Sequence, residues 1–307
     1  MAAICNCESG IINSGLPTCT DGFGRIKKLI FVYQYANDGT KNTVDCSLLS
    51  GGTFVNDKIN ETDKSKRWFP TDFIYSVVEE RADPITETID NINRNVTQGT
   101  RTFNGVFADK GSNSPTYLKF LDSLECPKVM YFGVDEYGNL VGIDLGGGIL
   151  DGFPVQSQSL YTKYIAKTAT TVAKNQLTFA LDDLLRDSTI SYIPAADFTA
   201  NLLNANGLLD VTLAEGNISG TFDFVGVLAS LVYGNACKKL KFTAGDNVAD
   251  WTVFNVTTSS AVTVTTVTVT DGNNYELGFT AQNSGDVLSV SLNKEGFESE
   301  TIQITFP

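Results

Sequence analysis

Residues 259–274 read SSAVTVTTVTVTDGNN, and residues 275–306 read YELGFTAQNSGDVLSVSLNKEGFESETIQITF. Apolar and polar residues alternate over short runs, and sequences rich in Gly, Asn and Asp separate the runs. This is the pattern of antiparallel strands with one buried face. The valines stand at 262 and 264 and then at 267 and 269, so the parity changes across Thr265-Thr266 and a bulge or strand break is expected there. We therefore predict that residues 245–307 form a compact antiparallel β sandwich.

The preceding segment, 25–244, is also predicted to be mainly β. Residues 25–36, RIKKLIFVYQYA, predict a strand that ends in a turn at 37–39, with 43–49 as its return strand. Residues 129–134 and 140–145 flank DEYGN and predict a second hairpin. A helix is expected over 116–125, because Ser114-Pro115 is a typical helix start. The expected fold class is mainly β with minor α: a β-sandwich or barrel-like body with one or two short helices, followed by the small sandwich.

Two segments depart from the strand pattern. Residues 1–24 contain four glycines and a proline without any persistent period, so we expect an extended N-terminal arm. Residues 51–67 include NDKINETDKSKR and predict a charged loop that is solvated or faces a partner. The pair Lys27-Lys28 is expected to be a solvated strand start. The predicted domains are thus an arm (1–24), a body with its charged loop (25–244) and a terminal sandwich (245–307).

Composition restricts the classes of function. The 307 residues include 22 Lys and Arg, 35 Asp and Glu and no His, giving a net charge of −13. General nucleic-acid binding is disfavoured, because phosphate contacts are made by Lys and Arg. The lack of His removes Ser-His and Cys-His nucleophiles and imidazole bases, so we expect no enzymatic activity. The N-terminal sequence has no signal-peptide pattern and no run approaches the roughly 20 apolar residues of a membrane helix, which favours a cytoplasmic site of synthesis and no membrane partner.

Candidate chemical sites are few. Cys5, Cys7, Cys19 and Cys46 are weak candidates for a zinc site, but one Cys-x-Cys knuckle and two isolated thiols are a poor match to zinc spacing. Reduced thiols are therefore favoured, and we expect no metal or cofactor. The run 146–148, GGG, lacks both nucleotide-binding fingerprints and predicts a tight turn. Glu79 and Glu80 are adjacent, so on a strand they face opposite sides and cannot act as a catalytic pair.

The terminal segment YELGFTAQNSGDVLSVSLNKEGFESETIQITF resembles the bacterial immunoglobulin-like modules of phage and bacterial surface proteins. The whole chain, with its arm, charged loop, β body and sandwich, resembles phage virion proteins of the tail-tube and neck-ring type. The resemblance implies a homo-oligomeric ring in which the arm and the loop join subunits and 245–307 projects outward. It implies other copies of the chain and other virion proteins as partners, and the virion, assembled in the host bacterial cytoplasm, as the location.

A tube or neck ring of this kind would let DNA pass transiently and without sequence preference. An acidic lining suits that task, because like charge keeps phosphates from sticking to the wall. The candidates for the channel lining or for subunit interfaces are Glu79, Glu80, Asp83, Asp90, Asp182, Asp183 and Asp187.

Two further hypotheses belong to other classes. The chain could be a receptor- or carbohydrate-binding component of a fibre or adhesin that uses the terminal sandwich. That hypothesis requires exposed aromatic side chains there, and Trp251, Tyr275 and Phe297 are the available ones. A polysaccharide-degrading enzyme that works with carboxylates alone is disfavoured, because no clear pair of acids is present.

Overall fold

The computed structural model describes residues 22–49, 52–97, 99–182, 187–235 and 238–307. Contacts divide the chain into two compact units, Met1–Gly207 and Leu208–Pro307. Strands account for 46% of the residues that the structure describes, and helical residues for 11%. The expected mainly β fold class is therefore confirmed.

The first unit contains fourteen strands and two α-helices among its described residues. The strands are β1 (Ile26–Tyr33), β2 (Val44–Asp45), β3 (Phe69–Pro70), β4 (Tyr75–Arg81), β5 (Ile85–Ile89), β6 (Ile92–Thr97), β7 (Arg101–Phe107), β8 (Val129–Asp135), β9 (Leu140–Asp144), β10 (Ile149–Asp151), β11 (Phe153–Pro154), β12 (Tyr161–Ile165), β13 (Lys174–Ala180) and β14 (Ile190–Ile193). The helices are α1 (Phe54–Ile59) and α2 (Pro115–Ser123), and short 3-10 turns cover Cys46–Leu48, Asp187–Thr189, Ala195–Asp197 and Leu202–Asn204.

These strands form three sheets. The largest has the order β2-β10-β9-β8-β1-β3, with β11 also on β8 and β14 also on β9. A four-stranded sheet has the order β12-β13-β7-β4, and β5 pairs only with β6. The two larger sheets share one apolar core, in which Phe103 and Phe179 stack with ring centroids 4.8 Å apart and Tyr131 packs against both rings. Strand β8 is buried along its whole length, which fits its run of residues without charge from Val129 to Val134.

Several local predictions for this unit are confirmed. Helix α2 begins after Ser114, whose hydroxyl oxygen accepts a hydrogen bond from the Tyr117 N–H at 3.3 Å. Strands β8 and β9 form the hairpin expected around DEYGN. The predicted return strand for β1 is wrong, because β2 pairs with β10, whereas β1 lies between β8 and β3.

The segment expected to be a charged loop is folded against the first unit. It contains α1, in which Val55 and Ile59 are buried four residues apart on one face. Arg67, near its end, is also buried, and its Nε atom donates to the Glu61 carbonyl oxygen at 2.6 Å. The charged residues of this segment therefore surround a short amphipathic helix, and the segment is folded, not a free loop.

The second unit is a two-sheet sandwich. Its strands are β15 (Leu209–Ile218), β16 (Phe224–Asn235), β17 (Lys238–Lys241), β18 (Trp251–Asn255), β19 (Ser260–Val262), β20 (Thr266–Thr270), β21 (Asn274–Gly278), β22 (Val287–Leu292), β23 (Phe297–Ser299) and β24 (Ile302–Thr305), with a 3-10 turn at Val248–Asp250. One sheet has the order β20-β21-β16-β15-β23, with β17 on β16, and the other has the order β19-β18-β22-β24. Buried residues of both sheets form its single core.

The parity change among the valines corresponds to a strand break. Strand β19 pairs with β18 in one sheet, and after residues 263–265 the chain continues as β20, which pairs with β21 in the other sheet. Val264 lies buried at the crossing, whereas Val269 is 41% exposed. The unit also begins at Leu208, earlier than the Gly245 boundary expected from composition, because β15 and β16 supply Val211, Val225 and Val227 to its core.

Candidate assembly surface

Strands β5 and β6 pair with each other to form a two-stranded ribbon, and neither pairs with any other described strand. The ribbon turns at Asp90 and Asn91, whose φ angles are 51° and 61°, and the turn is closed by the pair Ile89 and Ile92. Two successive left-handed residues in a two-residue loop match the right-handed twist of a hairpin, and Asp and Asn tolerate that conformation better than most residues. The local sequence therefore favours this hairpin.

The ribbon has one apolar face and one polar face. Alternation along β5 places Ile85, Glu87 and Ile89 on one face, and the register adds Ile92 and Arg94 of β6 to it. The register shifts between Thr86 and Ile85, which pairs with Thr97, so Val96 lies at an irregularity of β6. The three aliphatic members are exposed: Ile85 by 63%, Ile89 by 42% and Ile92 by 58%. Val96, at the irregularity, is 56% exposed. The opposite face carries Thr86, Thr88 and Asn93, and the Thr88 hydroxyl donates to the Asn93 Oδ1 atom at 2.5 Å.

This apolar face is unusual for a protein surface. Isolated aliphatic residues on a surface are ordinary, but here three share one face of a ribbon that has no described layer beneath it, and Val96 is exposed beside them. A two-stranded hairpin is only marginally stable in water, and a third strand or a packing partner is normally needed to stabilise it. The ribbon is therefore our candidate for an assembly surface.

The base of the ribbon is continuous with β4 and β7. The Ala82 N–H donates to the Thr100 carbonyl oxygen at 3.0 Å, which extends the ladder beyond Arg81 and Arg101. Arg81 Nη1 also donates to the Gly99 carbonyl oxygen at 3.0 Å. A Cβ atom added at Gly99 would lie 1.8 Å from the Ala82 carbonyl oxygen, so the chain can pass here only without a side chain.

An ion-pair cluster lies at the same base. Arg101 bridges Glu79 (Nε to Oε1, 2.7 Å) and Asp187 (Nη1 to Oδ1, 2.7 Å), and Arg81 Nη2 reaches the same Asp187 oxygen at 2.9 Å. The two arginines and Glu79 are largely buried, whereas the Asp187 side chain is 57% exposed. Two guanidinium groups and two carboxylates balance in charge, so the cluster connects β4, β7 and the turn at Asp187–Thr189 without adding local charge.

The electrostatics of the cluster follow from these contacts. The hydrogen bond from Arg81, assisted by the charge of Arg101, lowers the pKa of Asp187 despite partial burial. Burial disfavours the charge of Arg101, but the Glu79 carboxylate and, to a smaller extent, the Asp187 carboxylate together raise the pKa of Arg101. Burial, followed by the neighbouring Glu79 carboxylate, raises the pKa of Tyr131, which lies in the core below. The directions of these three shifts keep Asp187 and Arg101 charged and Tyr131 neutral near neutral pH.

The structure separates the seven acidic candidates into three groups. Glu79 and Asp187 come together, but in the cluster with arginines, and they do not line an open acidic surface. Glu80, Asp83, Asp90 and Asp182 are exposed, with Asp90 in the ribbon turn. Asp183 lies outside the described residues.

The cysteine candidates do not form a site among the described residues. Cys46 is buried and forms no disulfide with another described residue, and its burial, together with the nearby Asp197, Asp45 and Asp144 carboxylates, raises the pKa of its thiol. Cys5, Cys7 and Cys19 lie outside the described residues, as does most of the predicted arm 1–24. In the part of the chain that the structure describes, three or more His, Cys, Asp or Glu side chains nowhere gather in a way that could hold a metal ion.

The aromatic residues of the terminal sandwich are core residues. Trp251 and Tyr275 are buried, with ring centroids 5.2 Å apart, and Trp251 Nε1 donates to the Gly245 carbonyl oxygen at 2.8 Å. Phe297 is half-buried against Phe242, with ring centroids 5.0 Å apart. None of the three provides the open aromatic platform on which the adhesin hypothesis depends.

The comparisons with known proteins found no family model that matches the chain and no curated protein that matches it. Among the described residues, no helix has the length and apolar character needed to cross a membrane. The site is therefore assigned from its own geometry.

Proposed function

We propose that the chain is a structural component of a bacteriophage virion that assembles with copies of itself into a tail tube or a neck ring. One observation supports the self-assembly above all others: the ribbon of β5 and β6 has an apolar face that no described residue covers. A surface of this kind becomes favourable only when a partner removes it from water.

The channel is the second part of the proposal. A net charge of −13 and the exposed carboxylates Glu80, Asp83, Asp90 and Asp182 suit a wall that DNA passes without binding. Glu79 and Asp187 have a different role here, since their arginine partners neutralise them. Those two residues instead hold the base of the ribbon in place.

Deletion of the ribbon tests the self-assembly. Replacing residues 84–97 with Gly-Gly leaves β4 and β7 paired and removes the apolar face. We expect a folded chain, with a native-like circular dichroism spectrum, that elutes as a monomer under conditions where the unaltered protein forms rings or tubes in negative-stain electron micrographs.

A matched deletion serves as the control. Residues 166–173 join β12 to β13 and are mostly exposed, so replacing them with Gly-Gly removes another excursion of the same sheet. This variant should still assemble. Rings formed by the ribbon deletion would show that the ribbon is dispensable, and an unaltered protein that stays monomeric at every concentration would refute the proposed function.

A further inference from the structure

The side chains on the apolar face of the ribbon are arranged so that the face is complementary to the same face of a second copy. The register of the ribbon pairs Ile89 with Ile92 near the turn and Glu87 with Arg94 in the middle, and Ile85 lies toward the base, where the register shifts beside the exposed Val96. The face thus has three layers: two isoleucines near the turn, one acid opposite one base, and the aliphatic Ile85. The polar face has no comparable arrangement of charges.

Two face-to-face arrangements of two such ribbons are possible with two-fold symmetry. In the first arrangement both turns point in the same direction. The two-fold axis is then parallel to the strands, and β5 of one copy lies over β6 of the other. Each Glu87 then lies opposite Arg94 of the second copy, and aliphatic layers meet aliphatic layers. If the turns point in opposite directions, β5 lies over β5, so Glu87 meets Glu87 and Arg94 meets Arg94. Like charges held opposite each other at an interface disfavour that arrangement.

We infer that two copies of the chain pair through their ribbons, face to face and with both turns pointing the same way, in a two-fold contact that contains two Glu87–Arg94 ion pairs between copies. The inference rests on the proposed self-assembly and adds the identity of the partner, the symmetry and the residues in contact. In a two-fold contact each copy presents the same patch, which is the condition that a self-complementary face satisfies.

The size of the face indicates how the contact is used. Five side chains per copy cover less than the roughly 800 Å² per partner of a typical stable interface. The ribbon contact therefore joins copies that other surfaces also hold in the assembly. Its effect is expected to show as a change in the size or concentration dependence of the assembly.

Charge reversal of each partner provides a direct test. In Glu87→Lys, the new lysine lies opposite Arg94 of an identical copy, and in Arg94→Glu, two glutamates oppose each other. Each variant alone should associate more weakly than the unaltered protein, by roughly tenfold or more, in sedimentation velocity. An equimolar mixture of the two variants restores opposite charges at both positions between copies, so the mixture should associate as the unaltered protein does.

The mixture isolates the contact between copies from effects within one chain. In both variants the two residues paired across the ribbon still carry like charges, so any recovery must come from the second copy. Thr86→Lys and Asn93→Glu place new charges on the polar face of the same strands and should leave association unchanged. Thermal melts of the four variants should be native-like, because all four side chains are exposed.

The outcomes separate the inference from the proposed function. If the unaltered protein assembles but the single variants assemble equally well, or if mixing fails to restore association, the ribbon pairing is refuted and self-assembly stands. If the unaltered protein does not assemble at any concentration, the proposed function fails and the inference fails with it. Loss in both single variants with recovery in the mixture supports the inference.

Discussion

The base of the ribbon has room at position 99 only for a residue without a side chain, and Gly99 occupies that position. It is buried at the base, and an added Cβ atom would meet the Ala82 carbonyl oxygen at 1.8 Å and its carbonyl carbon at 2.4 Å. Because both atoms belong to the backbone, relief requires the strands themselves to separate.

We expect Gly99→Ala to lower the free energy of unfolding by about 1–3 kcal/mol, the range for overpacking at a buried position. Urea denaturation of the full chain measures the loss. Gly52→Ala is the matched control, because a Cβ atom there has no neighbour within 4 Å. Equal stability of the two variants would contradict the close approach at the ribbon base.

Lys28 shows where residue-level prediction from sequence stops. The pair Lys27-Lys28 was expected to be solvated, but Lys28 is buried, its Nζ atom donates to the Ala205 carbonyl oxygen at 2.6 Å, and it lies 5.0 Å from the centroid of the Phe73 ring. Burial lowers the pKa of Lys28, and the Asp72 carboxylate opposes that shift. The bonded carbonyl is 177 positions along the chain, so no local pattern could indicate it.

At the scale of the element, the ribbon differs from the strands that hold the core. All five residues of β5 are exposed, whereas β1 is buried over most of its length. In dilute, unassembled protein we expect the amides of β5 and β6 to exchange with solvent roughly a hundredfold faster than those of β1, because little apolar area opposes local opening.

Assembly should change that difference. The ribbon amides should become at least about tenfold more protected in assembled protein, while those of β1 stay slow in both states. Hydrogen-exchange mass spectrometry on the two fractions makes the comparison. Ribbon exchange that is identical before and after assembly would mean that the ribbon stays solvated in the particle.

Elements with local signals were predicted well. Helix α2 has its cap and first-turn proline within four residues, and the β8–β9 hairpin has its turn between adjacent strands. The ribbon was not predicted as a hairpin, although its sequence carries a local signal, Ile-Thr-Glu-Thr-Ile before Asp-Asn. The partner of β2 was missed because β10 is remote in sequence, and α1 was missed because charges surround its two buried residues.

At the scale of the whole molecule, the two units have separate cores, and the boundary between them was misplaced by composition. The segment after Gly245 is rich in Val and Thr, which marked it as a sandwich, but β15 and β16 belong to the same unit. Strand β16 pairs with both β15 and β21 and is central to its sheet. The composition of a segment does not show which sheet it joins, because strands pair with partners that are distant in the sequence.

Two truncations that differ in this boundary decide between the alternatives. A chain ending at Gly207 keeps the whole first unit, including the Lys28 contact with Ala205. A chain ending at Ala244 keeps β15 to β17 but loses β18 to β24, which exposes Val211, Val225 and Val227 to water. We expect the shorter chain to unfold cooperatively and to remain in solution, and the longer chain to bind a hydrophobic dye and precipitate on warming. If the chain ending at Ala244 instead behaves as well as the shorter one, β15 and β16 are stable without the sandwich and the boundary near Gly245 is the correct one.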